Sequence, residues 1–412
     1  MNLTTTLRRS AALAAVALPL ALLTACGGSS DDAAAGGGAL ELTALDYYTD
    51  EPSHGNTQQR LSDCAAEVGA TITQSSVPSA QYNAKVLQQV STKSLPDVLM
   101  VNNPDLPQFA STGALAPLDD LGVDTSAYLP SVLETGRYEG DLYGLAPNVN
   151  TLVLFYNKTM LDQAGVAVPT TWAELESAAA ALTTPEHYGF TYSASTGTEG
   201  TWTFIPFLWS NGGSQLELTS PAAEEALSFY TGLAEKGYVS TSVVNWTQAD
   251  AKDQFAAGKA AMMINGPWQI PSLDETAGLE WASTTIPVPA AGDTPVAPLG
   301  GELWTVPRGE PAKEKAAASI VTCMNDPQTQ LDMALDTNTV PSNATAADQL
   351  AQQQPDMASI VETVTTAKAL TEDSGLKWPA VNEALSTAIQ AVISGQATVP
   401  DALATAQTAV DR

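Results

Sequence analysis

From residue 40 onward the apolar positions fall into short continuous runs and helical stripes that take turns along the chain. Leu40–Tyr47 (LELTALDY) reads as a strand followed by a polar loop. Thr57–Val68 sets Leu61, Cys64, Ala65 and Val68 on one helical face, Ala70–Gln74 returns to β-branched residues, and Tyr82–Val90 is helical again. Asp97–Val101 (DVLMV) is a short buried strand closing on Asn102-Asn103-Pro104. This alternation predicts an α/β unit with a mainly parallel sheet. Ligands of such sheets sit beyond the strand C-termini, here 46–51 and 102–105.

The rhythm then repeats. Thr151–Tyr156 (TLVLFY) and Ala260–Ile264 (AAMMI) read as buried strands, with helices over Trp172–Leu182, Ala222–Glu235 and Gln248–Phe255. Ile286–Pro298 is proline-studded without a helical period and reads as an extended connection. Lys313–Met324, Ala380–Ile393 and Asp401–Val410 are helical. A second α/β unit follows the first, and the late extended passage suits two lobes joined by more than one crossover.

The first residues supply an address rather than structure. Met1–Ser10 carries Arg8 and Arg9, and the apolar run Ala11–Leu23 is shorter than the ~20 residues of a membrane-spanning helix but suits an export signal. It ends in Leu23-Thr24-Ala25-Cys26, which resembles the lipobox of bacterial lipoproteins, with Cys26 as the acylated residue. Residues 1–25 are therefore expected to be a signal peptide and 26–39 a flexible Gly/Ser-rich tether. That expectation places the chain outside the cytoplasm, lipid-anchored to the outer face of the cell membrane. In an oxidising space Cys64 and Cys323 are an even pair, either bridged or two separate buried thiols.

Composition removes several classes of function. The 412 residues hold 45 acids against 16 Lys and Arg, a formal net charge of −29. That balance opposes phosphate neutralisation, so no nucleic-acid partner is expected. Two histidines and three cysteines are too few for a His- or Cys-rich zinc site, and neither a metal nor a cofactor is expected.

Three segments go beyond a generic α/β pattern. They are Asp141–Asn157 continuing through Ala164-Gly165 and Thr171–Leu175, then Gly258–Trp268 (GKAAMMINGPW), and Gly300–Trp304 followed by Asp326–Gln330 and Val340-Pro341. Together they resemble the extracellular solute-binding proteins of sugar-importing ABC transporters, the maltose/oligosaccharide-binding family. The resemblance implies a two-lobed, type II periplasmic-binding-protein-like fold hinged by crossover strands near 147–150, 286–291 and 341–345. It assigns 40–148 plus 291–342 to the first lobe and 149–290 plus 343–412 to the second. On that map Cys64 and Cys323 both lie on helices of the first lobe, which leaves a disulfide and two separate thiols evenly matched. The implied function is membrane-tethered capture of a neutral oligosaccharide, delivered without chemical change to ABC permease subunits by a monomer.

A sugar offers hydroxyls around a ring and C–H patches on its faces, so its site needs aromatic plates and a few fixed polar groups. Trp268 follows a turn directly after a buried strand, where the family motif puts a stacking indole. Trp378, before Pro379, and Trp202, in a polar loop, occupy places where the family has cleft aromatics. Trp172 and Trp209 read as structural. For polar contacts Asn150 lies at the first crossover, Asn102, Asn103 and Asp105 follow a first-lobe strand, and Asp46 and Tyr47 end the first strand. Each of these polar residues could equally be a turn residue. Gly301 could bring backbone close to the ligand, and Glu199 and Glu302 are weaker candidates. Rival readings are a binding protein for glycerol phosphates, which would want a cleft cation, and a glycoside hydrolase, which needs two opposed carboxylates.

Overall fold

The computed structural model describes residues 39–49, 51 and 53–412; the export signal and the Cys26 lipidation site lie outside the described residues. Strand Leu40–Asp46 pairs in parallel with Ala70–Ser76 on one side and Val98–Asn102 on the other. The helices Ser53–Glu67 and Ser79–Thr92 return the chain between them. Glu302–Thr305 then pairs antiparallel with Val98–Asn102, and Gly144–Leu145 closes the edge, making a five-stranded sheet. The second sheet has four strands in the order Trp281–Thr284, Val153–Asn157, Ala260–Asn265, Tyr188–Thr191.

The α/β architecture in two sheets is present, but strand direction corrects the expectation of mainly parallel sheets. In the second sheet only Ala260–Asn265 and Tyr188–Thr191 run parallel; the other two pairings are antiparallel. The cause is how each strand is entered. A strand fed by a preceding helix runs toward the ligand end, as the crossover rule for βαβ units requires. Val153–Asn157 and Glu302–Thr305 are entered from the passages between the sheets, and they run the opposite way. The chain makes that passage between Leu145 and Val153 and again between Thr284 and Glu302. There Asn148–Val149 pairs with Val340–Pro341, and Asn150 bridges Gly300.

Much of the segment with the strongest family character is helix punctuation. Asn157 caps helix Lys158–Ala164 by accepting from the Met160 amide, and Gly165, at φ 65°, ends it. Thr171 and Glu174 form a capping box at the start of Trp172–Leu182. Trp172 stacks on Phe229 with ring centroids 4.6 Å apart, and Trp209 is buried with its Nε1 donating to Gln215. Both are structural, as their surroundings in the sequence indicate.

The sequence reading leaves Trp202 in a loop, whereas it lies in the first turns of helix Thr198–Ser210. Gly200 and Pro206 argue against a helix there. Gly200 is required because a Cβ would run into the Ser195 carbonyl. Three further helices, Pro327–Thr337, Ala344–Gln353 and Ala358–Thr366, lie in a stretch the sequence reading leaves without elements. Helices Trp378–Ile393 and Val399–Val410 pack on Thr198–Ser210 and Pro221–Glu235, behind the second sheet. Cys64 and Cys323 are bonded, with Cα atoms 5.6 Å apart, joining helices Ser53–Glu67 and Pro311–Met324. A hydrophobic cluster containing Leu45 and Val101 from the first sheet and Val153, Phe155 and Met263 from the second runs under both. No helix among the described residues is long and apolar enough to cross a membrane.

Candidate functional site

The strand ends converge on a cavity of about 570 Å³, within the usual range for small-molecule sites. From the first sheet come Tyr47, after Leu40–Asp46, and Asn102, Asn103 and Asp105, after Val98–Asn102; Glu302 enters on the antiparallel neighbour. The second sheet contributes Trp268, one turn beyond Ala260–Asn265, and Trp202 and Glu199 from the helix that follows Tyr188–Thr191. Asn150, Gly300 and Gly301 come from the passages between the sheets, and Trp378, Pro379 and Asn382 from the start of a C-terminal helix.

Nine of the ten sequence candidates therefore line one cavity: Tyr47, Asn102, Asn103, Asp105, Asn150, Trp202, Trp268, Gly301 and Trp378. Asp46 does not, and this corrects its assignment. Its side chain is 0% exposed and accepts from the Tyr48 amide, Ser76 Oγ and Gln74 Nε2. Burial pushes its carboxyl above the ordinary range, with those hydrogen bonds opposing. Asp46 thus ties two strand ends together behind the wall.

The aromatic part is a pair. Trp202 and Trp268 stack with ring centroids 5.7 Å apart and planes 12° from parallel. Glycines make room for both rings. A Cβ on Gly266 would fall within the Trp268 ring, and one on Gly300 would overlap Trp202 and Asn150 Oδ1. Gly301, at φ 130°, has a backbone conformation that L side chains rarely adopt, and its carbonyl accepts from the Asn103 amide. Trp378 is only 3% exposed and meets the cavity while packing into the core behind the second sheet.

The polar part is rich in atoms without partners. Asn103 Oδ1, Asn150 Oδ1, Trp202 Nε1, Gln248 Nε2 and Asn382 Oδ1 are buried, line the cavity and have no hydrogen-bond partner within the protein. Such groups are costly to leave unmade, so their convergence marks a place where a ligand can supply both donors and acceptors. Tyr47 Oη donates to Glu302 Oε1 at 2.5 Å. Burial first, then the Glu302 charge, holds the Tyr47 phenol well above its usual range, so it stays protonated and donating. Burial likewise raises Asp105, against hydrogen bonds from Asn83 and Asn102. Glu199 accepts from the Gln248 amide. Three carboxylates face this cavity, and among its described lining residues there is no Lys, Arg or His. No cluster of His, Cys, Asp or Glu that could hold a metal ion occurs among the described residues.

Gln248, Asn382 and Asn83 are lining residues that the sequence reading missed. Asn382 stands four residues after Trp378 on the same helix, hence on the same face, and that spacing was a usable signal. Gln248 opens a helix capped by Thr247, and nothing in its neighbourhood marks it.

The profile of the family described as bacterial extracellular solute-binding protein matches residues 59–359. A putative binding protein of Brucella abortus is 25% identical over 240 residues, which is 55% of this chain and 58% of that protein. A maltooligosaccharide ABC transporter solute-binding lipoprotein of Streptococcus pneumoniae is 24% identical over 365 residues, 82% of each chain. Among solved structures, the cyclic alpha-maltosyl-1,6-maltose binding protein of Arthrobacter globiformis superposes with a TM-score of 0.80 at 23% identity, over 91% of this chain and 98% of that one. The GacH receptor of Streptomyces glaucescens, solved unliganded and with acarbose, gives 0.76 at 25% identity, over 90% and 97%.

Proposed function

The chain belongs to the bacterial extracellular solute-binding proteins, and from that premise we propose that it captures a neutral oligosaccharide for an ABC importer, with maltooligosaccharides as the first class to test. The observation that carries this reading is the composition of the cavity wall. A stacked indole pair lies beside five buried polar atoms that lack partners, and the described residues lining this cavity include no cation for a phosphate. A pyranose matches both halves, its C–H face on an indole and its hydroxyls on the amides and carboxylates. Arg60 lines only a neighbouring cavity, where it is paired with Asp336, so the described wall of the larger one offers no cation to a glycerol phosphate.

The mechanism follows from where the groups come from. The lobes are 40–148 with 291–342 and 149–290 with 343–412. A ligand touching both binds the closed arrangement better than the open one and shifts the population toward it. Trp268, Trp202 and Trp378 are the stacking groups, Asn150, Asn102, Asn103, Asp105 and Tyr47 the polar contacts, and Gly301 the close backbone approach. The sugar leaves unaltered, so the protein is not an enzyme. A lipid on Cys26 holds the monomer beside its permease, whose partner subunits supply ATP hydrolysis.

Titration calorimetry on residues 39–412 tests this. Binding of maltotriose or a longer maltooligosaccharide without release of free sugar supports it. Binding of glycerol phosphate in place of neutral sugars, or hydrolysis at enzyme-like rates, overturns it.

A further inference from the structure

Beside the disulfide is a recess of about 540 Å³ that shares no lining residue with the indole-lined cavity. It opens between the end of helix Ser53–Glu67, the loop at 124–128 and the turn joining Pro311–Met324 to Pro327–Thr337. Glu67, Asp124 and Asp326 line it, and among its described lining residues there is no Lys, Arg or His. None of the three acids is in an ion pair among the described residues. The Ser126 amide donates to Asp124 at 2.9 Å and holds its carboxyl below the ordinary range, so it is charged at neutral pH. Asn325, 4% exposed, lines the same recess. Its Nδ2 donates to the Val321 carbonyl at 2.8 Å, which fixes the amide, and its Oδ1 is left buried without a partner within the protein. Such an acceptor is costly to leave unmade. The hydroxyls nearby are already spent. Burial, then the Asp326 and Asp124 charges, push the Tyr128 phenol up and keep it protonated, and it donates to the Asn325 backbone carbonyl at 3.4 Å. Thr322 donates to the Ala318 carbonyl.

Shape separates two kinds of cation. A metal ion needs several ligands around one point, and no group of His, Cys, Asp or Glu converges that way among the described residues. Three carboxylates spread around a recess of this size suit instead a cation whose charges are spaced along a chain. We propose that the recess binds a linear aliphatic polyamine. Ammonium groups carry donors and no acceptors, which matches a wall of carboxylates. They pair with Glu67, Asp124 and Asp326, one N–H satisfies Asn325 Oδ1, and the methylene stem lies on Ala127 and Pro327. The recess is separate from the indole-lined cavity, so the proposal does not depend on what that cavity holds.

Titration calorimetry of spermidine against the whole protein tests this at physiological salt, where attraction to the general charge of −29 is screened beyond about 8 Å. Glu67→Gln with Asp124→Asn removes two of the three lining charges. Asp162→Asn with Glu186→Gln removes two exposed acids outside the recess and is the control of equal charge. Wild type is expected to take one spermidine per chain, which equimolar Mg²⁺ does not displace. The first double variant is expected to bind about fivefold or more weakly, and the control within about twofold of wild type, as two lost surface pairs allow. Thermal melts of both variants establish that neither loss is unfolding. No saturable one-to-one binding in wild type, an equal loss in both double variants, or displacement by equimolar Mg²⁺ overturns the site.

Discussion

Gly300→Ala isolates one methyl group at the junction of the two sheets. Gly300 is outside the positive-φ region, so alanine meets no backbone penalty there. Its amide donates to the Asn150 carbonyl at 2.8 Å and its carbonyl accepts from the Asn150 amide at 3.0 Å, so neither backbone can back away. The new Cβ would overlap Asn150 Oδ1 and the outer edge of the Trp202 ring, and one of them must move. Inserting a methyl into such a packed place costs about 1–3 kcal/mol. Displacing Trp202 breaks its stacking on Trp268, and the cost then falls on ligand affinity, roughly 5- to 150-fold. Calorimetry with the tightest-binding maltooligosaccharide reads that loss, and indole fluorescence reports the disturbed pair. Gly309→Ala is the control, since a Cβ there meets nothing within 4 Å. Wild-type affinity together with a wild-type melting temperature in Gly300→Ala would refute the packing argument.

Trp268→Ala is expected to weaken sugar binding by about 1–3 kcal/mol with little change in melting. Trp281→Ala, which loses packing on Phe155 and a bond to Asp274 outside the cavity, should lower the melting temperature and spare affinity; the reverse pattern in calorimetry and melts contradicts both assignments. Asp105 holds its proton more tightly folded than unfolded, so the stability tied to it is complete below its ordinary 3.8 and is lost as pH rises through the raised value. Asp105→Asn should therefore gain melting temperature over wild type above that window and converge with it below, and a pH-independent difference counts against this. Replacing both Cys64 and Cys323 with Ser should cost about 2–5 kcal/mol in a denaturant titration, because the bridge closes a loop spanning 259 residues; an unchanged midpoint removes its stabilising role.

The strand ends were legible because an apolar run that stops at a polar cluster marks a strand leaving the sheet. That pattern located Tyr47, Asn102, Asn103 and the Asn265-Gly266-Pro267-Trp268 turn. Asp46 satisfied the same pattern and lies behind the wall instead. Its partner Ser76 is set by the register pairing Asp46 with Ser76, a tertiary fact that no local window contains. Glu302 was hard to weigh for a related reason: its position beside Asn102 depends on a pairing across 200 residues of sequence. Gln248 and Asn382 reach the cavity from helix faces, where one polar residue looks like any solvated one. Strand direction was the remaining error, since alternation of strands and helices does not say from which end a strand is entered.

The place of Glu302–Thr305 inside the first sheet, between Val98–Asn102 and Gly144–Leu145, sets an order of assembly. Until that segment has been synthesised, Val98–Asn102 keeps an open edge, although four of its five residues end up buried. The amino-terminal half must stay unfinished, and vulnerable to wrong partners, while the whole intervening layer is being made. Cys323 emerges still later, on the helix that covers the completed sheet. Its bond to Cys64 therefore records maturity: a bridged chain is one that already carries the segment sealing its first sheet.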